Sequence, residues 1–175
     1  MNNNSDRVHP QAGHHGKLLG NVRYWVQAAA IAGVYATLTV ALSPISYGAV
    51  QVRVSEALTV LPAVTPAAIP GLFVGCLIAN LISPFGTPDL IIGSAASLLA
   101  AFFSWLLRAR AWLVPLPPVL VNAALIGGML YYIYGVPPSL LVDMGWVALG
   151  QVLACYVLGF PLLKYLERHP GVFRL

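Results

Sequence analysis

The chain has 175 residues, of which 59% are hydrophobic and 8% are charged. Soluble domains are usually about 45–50% apolar and about 25% charged. A soluble fold of this length could not cover such a sequence with polar surface, so the composition predicts a single membrane-embedded domain. The net charge of +4 does not indicate nucleic-acid binding, because the basic residues are scattered between apolar runs and form no patch interleaved with aromatics.

Residues 1–20 are polar and rich in Asn, Gly and His, and they predict a disordered cytoplasmic tail. The four histidines all lie near the ends of the chain, which excludes a His-based metal site or catalytic base inside the membrane. The segment "GHHGK" lacks the spacing and the Ser/Thr of a phosphate-binding loop. Cys76 and Cys155 lie in apolar stretches without metal-binding spacing, so we expect two small core residues. We therefore expect no metal, no cofactor and no ATPase or other enzymatic activity of the chain itself.

Six apolar segments follow the tail and predict a compact all-α bundle of six transmembrane helices over residues 21–175. The first, residues 24–42, is long enough at 1.5 Å per residue for the ~30 Å hydrocarbon core. A signal peptide is the alternative for it, but further apolar segments follow rather than a secreted domain. The other five segments are residues 48–61, 66–82, 89–107, 118–134 and 139–165. The second is short for a crossing, and the sixth is long enough to tilt or bend near Pro161.

The basic residues predict the orientation of this bundle. If the six segments alternate, one side holds Arg7, Lys17, Arg23, Arg108, Arg110, Lys164, Arg168 and Arg174. The other side holds Arg53. Because positive charge concentrates in cytoplasmic loops, both termini are predicted to be cytoplasmic.

Several polar and aromatic residues are predicted to converge on the outer side as a substrate site, because polar groups inside a membrane usually face a cavity or each other. They are Arg53, Glu56, Asn80, Asp89, Tyr131, Tyr134, Asp143 and Trp146. Asp143 and Trp146 are three residues apart and are expected on one helix face. Arg53 and Glu56 are likewise expected on one face, where they satisfy each other when no ligand is bound.

Each of these residues also has a structural interpretation. Arg53 and Glu56 can form an ion pair that holds a loop against the bundle. Asp89 can be the cap or a first-turn acid of the fourth helix. Asn80 can join two helices by a hydrogen bond, and the tyrosines can form an interfacial belt. Asn122 lies deeper and is expected to serve in packing.

The first helix carries a stripe of small residues. Ala28, Ala32 and Ala36 are four residues apart, with Ala29 and Gly33 beside them. Such spacing lets another helix approach closely. The partner helix belongs either to another protein subunit or to this bundle.

The run "ISYGAVQVRVSEALTVLPAVTPAAIPGLFVGCLIANLIS", followed by "DLIIGSAASLLAA", closely resembles the QueT family of S components, most strongly over residues 44–101. These are the substrate-binding subunits of energy-coupling factor (ECF) transporters. The resemblance implies a six-helix bundle in the prokaryotic cell membrane that binds substrate near its outer face. It also implies association with a transmembrane coupling subunit and two cytoplasmic ATPases. The family's A-x-x-x-A contact with the coupling subunit matches Ala28 with Ala32, and equally Ala32 with Ala36.

The resemblance also implies a substrate, because the family is associated with queuosine precursors, which are 7-deazaguanine bases. Glu56 could accept the adjacent N–H donors of such a base, Trp146 could stack on its ring and Asn80 could meet its carbonyl. Cobalamin is the alternative ligand, since a large amide-fringed ring would suit a wide mouth lined by tyrosines. A stand-alone small-molecule carrier is the alternative class.

Overall fold

The computed structural model describes residues 21–46, 52–135 and 139–173, and the regular elements in these ranges are helical. The six main helices are α1 (Val22–Ala41), α2 (Val54–Ala63), α3 (Ala68–Asn80), α4 (Gly86–Leu106), α5 (Leu116–Tyr134) and α6 (Leu140–Arg168). Of these, α2 is a 3₁₀ helix. Short helical turns occur at Ser43–Ser46, Ala111–Leu113 and Pro170–Phe173. The predicted tail of residues 1–20 and residues 48–51 of the second predicted segment lie outside the described residues.

Neighbouring helices in the chain run in opposite directions. Near one end of the bundle the hydroxyl oxygens of Thr39 on α1 and Ser55 at the start of α2 are 2.6 Å apart. Near the other end Gln27 accepts a hydrogen bond from Thr65, just after α2. The same alternation holds for the later helices. The end of α3 contacts the start of α4 (Asn80 with Asp89), and the start of α4 lies beside the end of α5 (Phe85 with Tyr134). The second half of α5 contacts the first half of α6 (Gly127 with Met144). Therefore α1 begins and α6 ends at the same end of the bundle.

Each of the six predicted segments contains a helix within the described residues, but these helices differ in length. Four helices have the length and apolar composition to cross a membrane: α1, α4, α6, and α5 together with the turn before it. The 3₁₀ helix α2 has 10 residues and α3 has 13. At about 2.0 and 1.5 Å per residue each spans roughly 20 Å, less than the ~30 Å core. That α2 and α3 also cross the membrane stays a prediction.

Two of the long helices contain wider π-helical segments, at Asp89–Gly93 in α4 and Leu153–Gly159 in α6. The helix α4 begins at Gly86, one turn earlier than predicted, so Asp89 lies inside the helix rather than at its cap. In α6 the π segment ends just before Pro161. The helix continues through this proline because the wider turn relieves the clash of its ring with the carbonyl four residues earlier.

The small-residue stripe of α1 packs against α3 within this chain. Ala28, Ala32 and Ala36 are all buried, as expected if the stripe packs against a helix of the same bundle. A Cβ at Gly75 would lie 2.8 Å from the Ala32 carbonyl oxygen. A Cβ at Gly71 would lie 2.7 Å from that of Ala28. The two glycines therefore set the spacing between α1 and α3, and of the two partners that the sequence left open, the described contacts show the one within this bundle.

We predict that Gly75→Ala destabilises the bundle by roughly 1–3 kcal/mol, because its Cβ would overpack against the backbone of α1. Gly128→Ala is the matched control, since a Cβ at Gly128 meets nothing within 4 Å and alanine favours helix by about 1 kcal/mol. Thermal unfolding in detergent measures both. If Gly75→Ala and Gly128→Ala unfold at the same midpoint temperature, the close approach of α1 and α3 does not require a glycine at position 75.

Candidate functional site

A first group of polar side chains surrounds Glu56 at the centre of the bundle. Glu56 is 1% exposed. Its Oε1 accepts a 2.5 Å hydrogen bond from the hydroxyl of Tyr35 on α1. Its Oε2 accepts a longer bond of 3.5 Å from the amide of Asn122 on α5. Both donors are neutral, so within the described residues these bonds orient the carboxylate without balancing its charge.

The backbone of Glu56 is held from the side of α6. Its carbonyl accepts hydrogen bonds from Thr59 at 2.6 Å and from the thiol of Cys155 at 3.5 Å. Cys155 belongs to the π segment of α6. At the end of that segment Gly159 approaches α2 so closely that a Cβ would lie 2.9 Å from the Ala57 carbonyl oxygen. The π segment and this glycine thus bring the thiol to α2.

A second group surrounds Asp89 in the π segment of α4. Its Oδ2 forms a 3.0 Å ion pair with Arg53 and accepts a 2.6 Å hydrogen bond from Ser83. Its backbone carbonyl accepts a 2.9 Å bond from the amide of Asn80. All four of these residues are buried. The group is continuous with that of Glu56, because the Glu56 N–H donates to the Arg53 carbonyl.

The absence of a side chain at Gly93 leaves room for the side chains of Asn80 and Asp89 beside α4. A Cβ there would lie 2.7 Å from both Asn80 Nδ2 and Asp89 Oδ1. Within the described residues, Asp89 Oδ1 and Asn80 Oδ1 have no hydrogen-bond partner, nor do the hydroxyls of Ser94 and Ser97 further along α4. Such orphaned buried polar atoms are few in native proteins.

The predicted pairing of Arg53 with Glu56 is wrong. Arg53 pairs with Asp89 on α4, whereas Glu56 binds Tyr35 and Asn122. Arg53 precedes α2 with an extended backbone, at φ −85° and ψ 101°, so its side chain leaves the chain before the helical repeat begins. The three-residue spacing therefore does not place the two side chains on one helix face, and they bind different partners.

Of the outer residues, Asp143 and Trp146 are about 60° apart around α6, as their spacing predicts, but they differ in burial: Asp143 is 4% exposed, whereas Trp146 is 48% exposed. Tyr131 is partly exposed beside Tyr132. The hydroxyl of Tyr134 donates to the carbonyl of Phe85 before α4. The structure thus brings together Arg53, Glu56, Asn80 and Asp89, and it leaves the tyrosines and Trp146 at the periphery.

Sequence reasoning missed the two side chains that hydrogen bond to the Glu56 carboxylate. Asn122 was assigned to packing and Tyr35 was not considered, yet both hydrogen bond to Glu56. Each is a polar side chain in an otherwise apolar run, which was the available signal. The described residues contain no group of three or more His, Cys, Asp or Glu side chains that could hold a metal ion.

The family model described as QueT transporter matches residues 25–168. Comparison with curated proteins and with solved structures gave no match. The matched range contains α2 to α6, most of α1 and every buried polar residue of the two groups. It agrees with the resemblance over residues 44–101 and, with the long apolar helices, identifies a multi-pass membrane transporter rather than an enzyme. Because the match covers well over half of the sequence, the chain belongs to the QueT transporter family.

Proposed function

We propose that this transporter is the substrate-binding S component of an ECF importer, with its substrate site formed by the groups around Glu56 and Asp89. The observation that carries the proposal is the burial of the Glu56 and Asp89 carboxylates together with the Arg53 guanidinium at one place in the bundle. Buried ion pairs contribute little net stability, and ionisable groups at membrane depth usually mark a substrate path. A purely structural bundle would have no need of this network.

The distribution of basic residues supports an opening of this site toward the outside. Among the described residues, the end where α1 begins and α6 ends carries Arg23, Arg108, Arg110, Lys164 and Arg168. The opposite end holds Arg53, which is paired with Asp89. The positive-inside rule then favours cytoplasmic termini and six crossings, and the resemblance to S components implies a prokaryotic cell membrane.

A 7-deazaguanine base is the substrate that best fits these residues. Such a base carries several N–H donors, and the site is rich in carboxylate and amide oxygens. Among the described residues, the one donor to Glu56 Oε2 is Asn122, at a long 3.5 Å, so a ligand N–H could replace that donor at little cost. Trp146 faces outward and is not part of this fit. Cobalamin is less well supported, because the hydroxyl of Tyr134 already binds the Phe85 carbonyl.

The proposed partners are a transmembrane coupling subunit and two cytoplasmic ATPases, and α1 offers the docking face. Beside the buried alanines, Ala29, Gly33 and Thr37 are exposed at a spacing of four residues, and a Cβ at Gly33 meets nothing within 4 Å. An apolar groove between α1 and α3 adjoins them, with Ala28 and Ala32 at its floor. A partner helix could approach closely along this stripe.

We predict that Glu56→Gln weakens binding of 7-deazaguanine by about 1.5–3 kcal/mol, the contribution of a hydrogen bond to a charged group. Titration of the purified protein in detergent measures it. Tyr35→Phe is the control: it removes the 2.5 Å bond but keeps the carboxylate, so stability should fall more than affinity. If Glu56→Gln binds 7-deazaguanine with unchanged affinity while its unfolding midpoint drops, Glu56 serves only to stabilise the fold and the proposed site is wrong.

We predict that Gly33→Leu abolishes ATP-driven uptake in proteoliposomes containing an ECF coupling module, while ligand binding in detergent persists. The added side chain would hold the partner helix away from α1. Gly145→Leu on α6 is the matched control, because it places the same side chain on another exposed face and should leave uptake intact. Uptake by the chain alone, with no gain from the module, would contradict the S-component assignment.

The orientation can be tested with the exposed residues Thr87 and Ala109, which lie at opposite ends of α4. We predict that an impermeant maleimide labels Thr87→Cys in intact cells and labels Ala109→Cys only after permeabilisation. The native cysteines are buried, so the unmodified chain is the background control. The reverse pattern would place the substrate site on the cytoplasmic side.

A further inference from the structure

An apolar groove lies between α1, α2 and α6 at the surface of the bundle. Ala30 and Val34 of α1, Leu58 of α2, Leu166 of α6 and Phe173 are among the side chains that line it, and its volume is about 270 Å³. Val34 is 51% exposed, so the groove is open to the surroundings. Leu166 lies in the last turn of α6 and Ala30 in the first half of α1. The groove therefore lies in the half of the membrane next to the basic end of the bundle.

The size of the groove distinguishes between the two kinds of occupant that a membrane offers, a lipid acyl chain and a helix of another protein. One turn of a helix with its side chains is a cylinder about 10–12 Å wide and about 5.4 Å long, which is roughly 400–600 Å³. That volume exceeds the groove, so a helix could place only single side chains in it. An acyl chain is narrow and flexible enough to enter it.

An arginine lies on the groove-lining side of α1. Arg23 is seven residues before Ala30, and Val34 is four residues after Ala30. These spacings are close to two turns and one turn, so the three side chains project from one side of the helix. Arg23 is exposed and lies about 10 Å from Ala30 along the helix axis, toward the basic end. A lipid with its acyl chain in the groove would therefore place its headgroup near the Arg23 guanidinium.

The charge of Arg23 favours a particular class of headgroup. The ion pairs found among the described residues join Arg53 to Asp89 and Lys164 to Glu167, and Arg23 belongs to neither pair. A guanidinium binds phosphate through charge-assisted, often bidentate hydrogen bonds. A zwitterionic headgroup would bring a second cation close to Arg23, whereas an anionic headgroup would not. Anionic lipids also give the cytoplasmic leaflet its negative surface potential, and the positive-inside rule favours that side for Arg23.

We infer that the groove between α1, α2 and α6 holds one acyl chain of an anionic phospholipid and that Arg23 binds the phosphate of this lipid. The inference depends on the location of the chain in a membrane. It depends neither on the proposed substrate nor on assembly with other subunits, so it can fail or hold independently of both.

The first test measures lipid binding to the full chain, purified and delipidated in detergent, by native mass spectrometry. The probes are phosphatidylglycerol and phosphatidylcholine with the same acyl chains. The wild type should bind phosphatidylglycerol about fivefold more tightly, the effect of one basic residue on an anionic lipid. In Arg23→Gln this preference should fall to within about twofold. Arg168→Gln is the matched control and should keep the preference, because Arg168 is exposed at the same end but lies about 200° around α6 from Leu166.

A second pair of variants tests the groove itself. Ala30→Phe would fill part of the groove and should weaken the binding of both lipids, because the acyl chain loses its apolar contacts. Leu120→Phe is the control, since Leu120 is 59% exposed on α5 and does not line the groove. It should bind both lipids as the wild type does. Unfolding midpoints measured alongside show whether each variant is folded.

Equal binding of the two lipids by the wild type would overturn the inference. A preference lost equally in Arg23→Gln and Arg168→Gln would also overturn it, because the basic surface as a whole would then attract the lipid. Unchanged lipid binding by Ala30→Phe would do the same, and if that variant also loses ATP-driven uptake with the coupling module, the groove accommodates a partner subunit. Loss of the preference in Arg23→Gln alone, together with weaker binding of both lipids by Ala30→Phe, supports the inference.

Discussion

The ion pair between Arg53 and Asp89 is the interaction on which the arrangement of this bundle depends. Both charges are buried in a domain surrounded by lipid, and loss of either partner would leave an uncompensated charge at a cost of about 3–5 kcal/mol. The pair fixes the start of α2 against α4. Asp89 also holds the end of α3 through Asn80 and the α3–α4 connection through Ser83. Asp89 thus holds the start of α2 and the α3–α4 connection through its carboxylate and the end of α3 through its backbone carbonyl, and the local geometry of the site follows from its position.

Glycines determine how closely the helices bring these polar groups together. Gly71 and Gly75 let the backbones of α1 and α3 approach each other, Gly93 leaves room for Asn80 beside Asp89, and Gly159 brings α6 against α2. In a membrane the hydrophobic effect does not drive helices together, so close packing of small residues and interhelical hydrogen bonds supply the association. The two sources reinforce each other here, because hydrogen bonds such as that from Tyr35 to Glu56 need the short spacing that the small residues allow.

The number, order and approximate bounds of the helices could be predicted from the sequence because apolar run length is a strong signal in membrane proteins. The hydrogen-bond and ion-pair partners of the site residues could not be predicted from the sequence. The π segments in α4 and α6 have no sequence period of their own, yet they lie where Asp89 and Cys155 enter the site. Spacing suggested a pair between Arg53 and Glu56, and only the extended backbone at Arg53 shows why it fails. The alanine stripe indicated close helix packing correctly, but a stripe does not state whether its partner lies inside or outside the chain.

The two carboxylates are not equivalent, and α1 contacts Glu56 rather than Asp89. Asp89 is balanced by Arg53, whereas the hydrogen bonds to Glu56 come from neutral donors. A ligand that engages Glu56 therefore acts on a group whose tightest bond, at 2.5 Å, is to Tyr35 of α1. Gly33, on the exposed side of α1, is two residues away in the chain. In the proposed assembly the substrate site and the docking face thus belong to opposite sides of one helix, so a change in the bond between Tyr35 and Glu56 needs to shift or rotate only α1 to reach the coupling subunit.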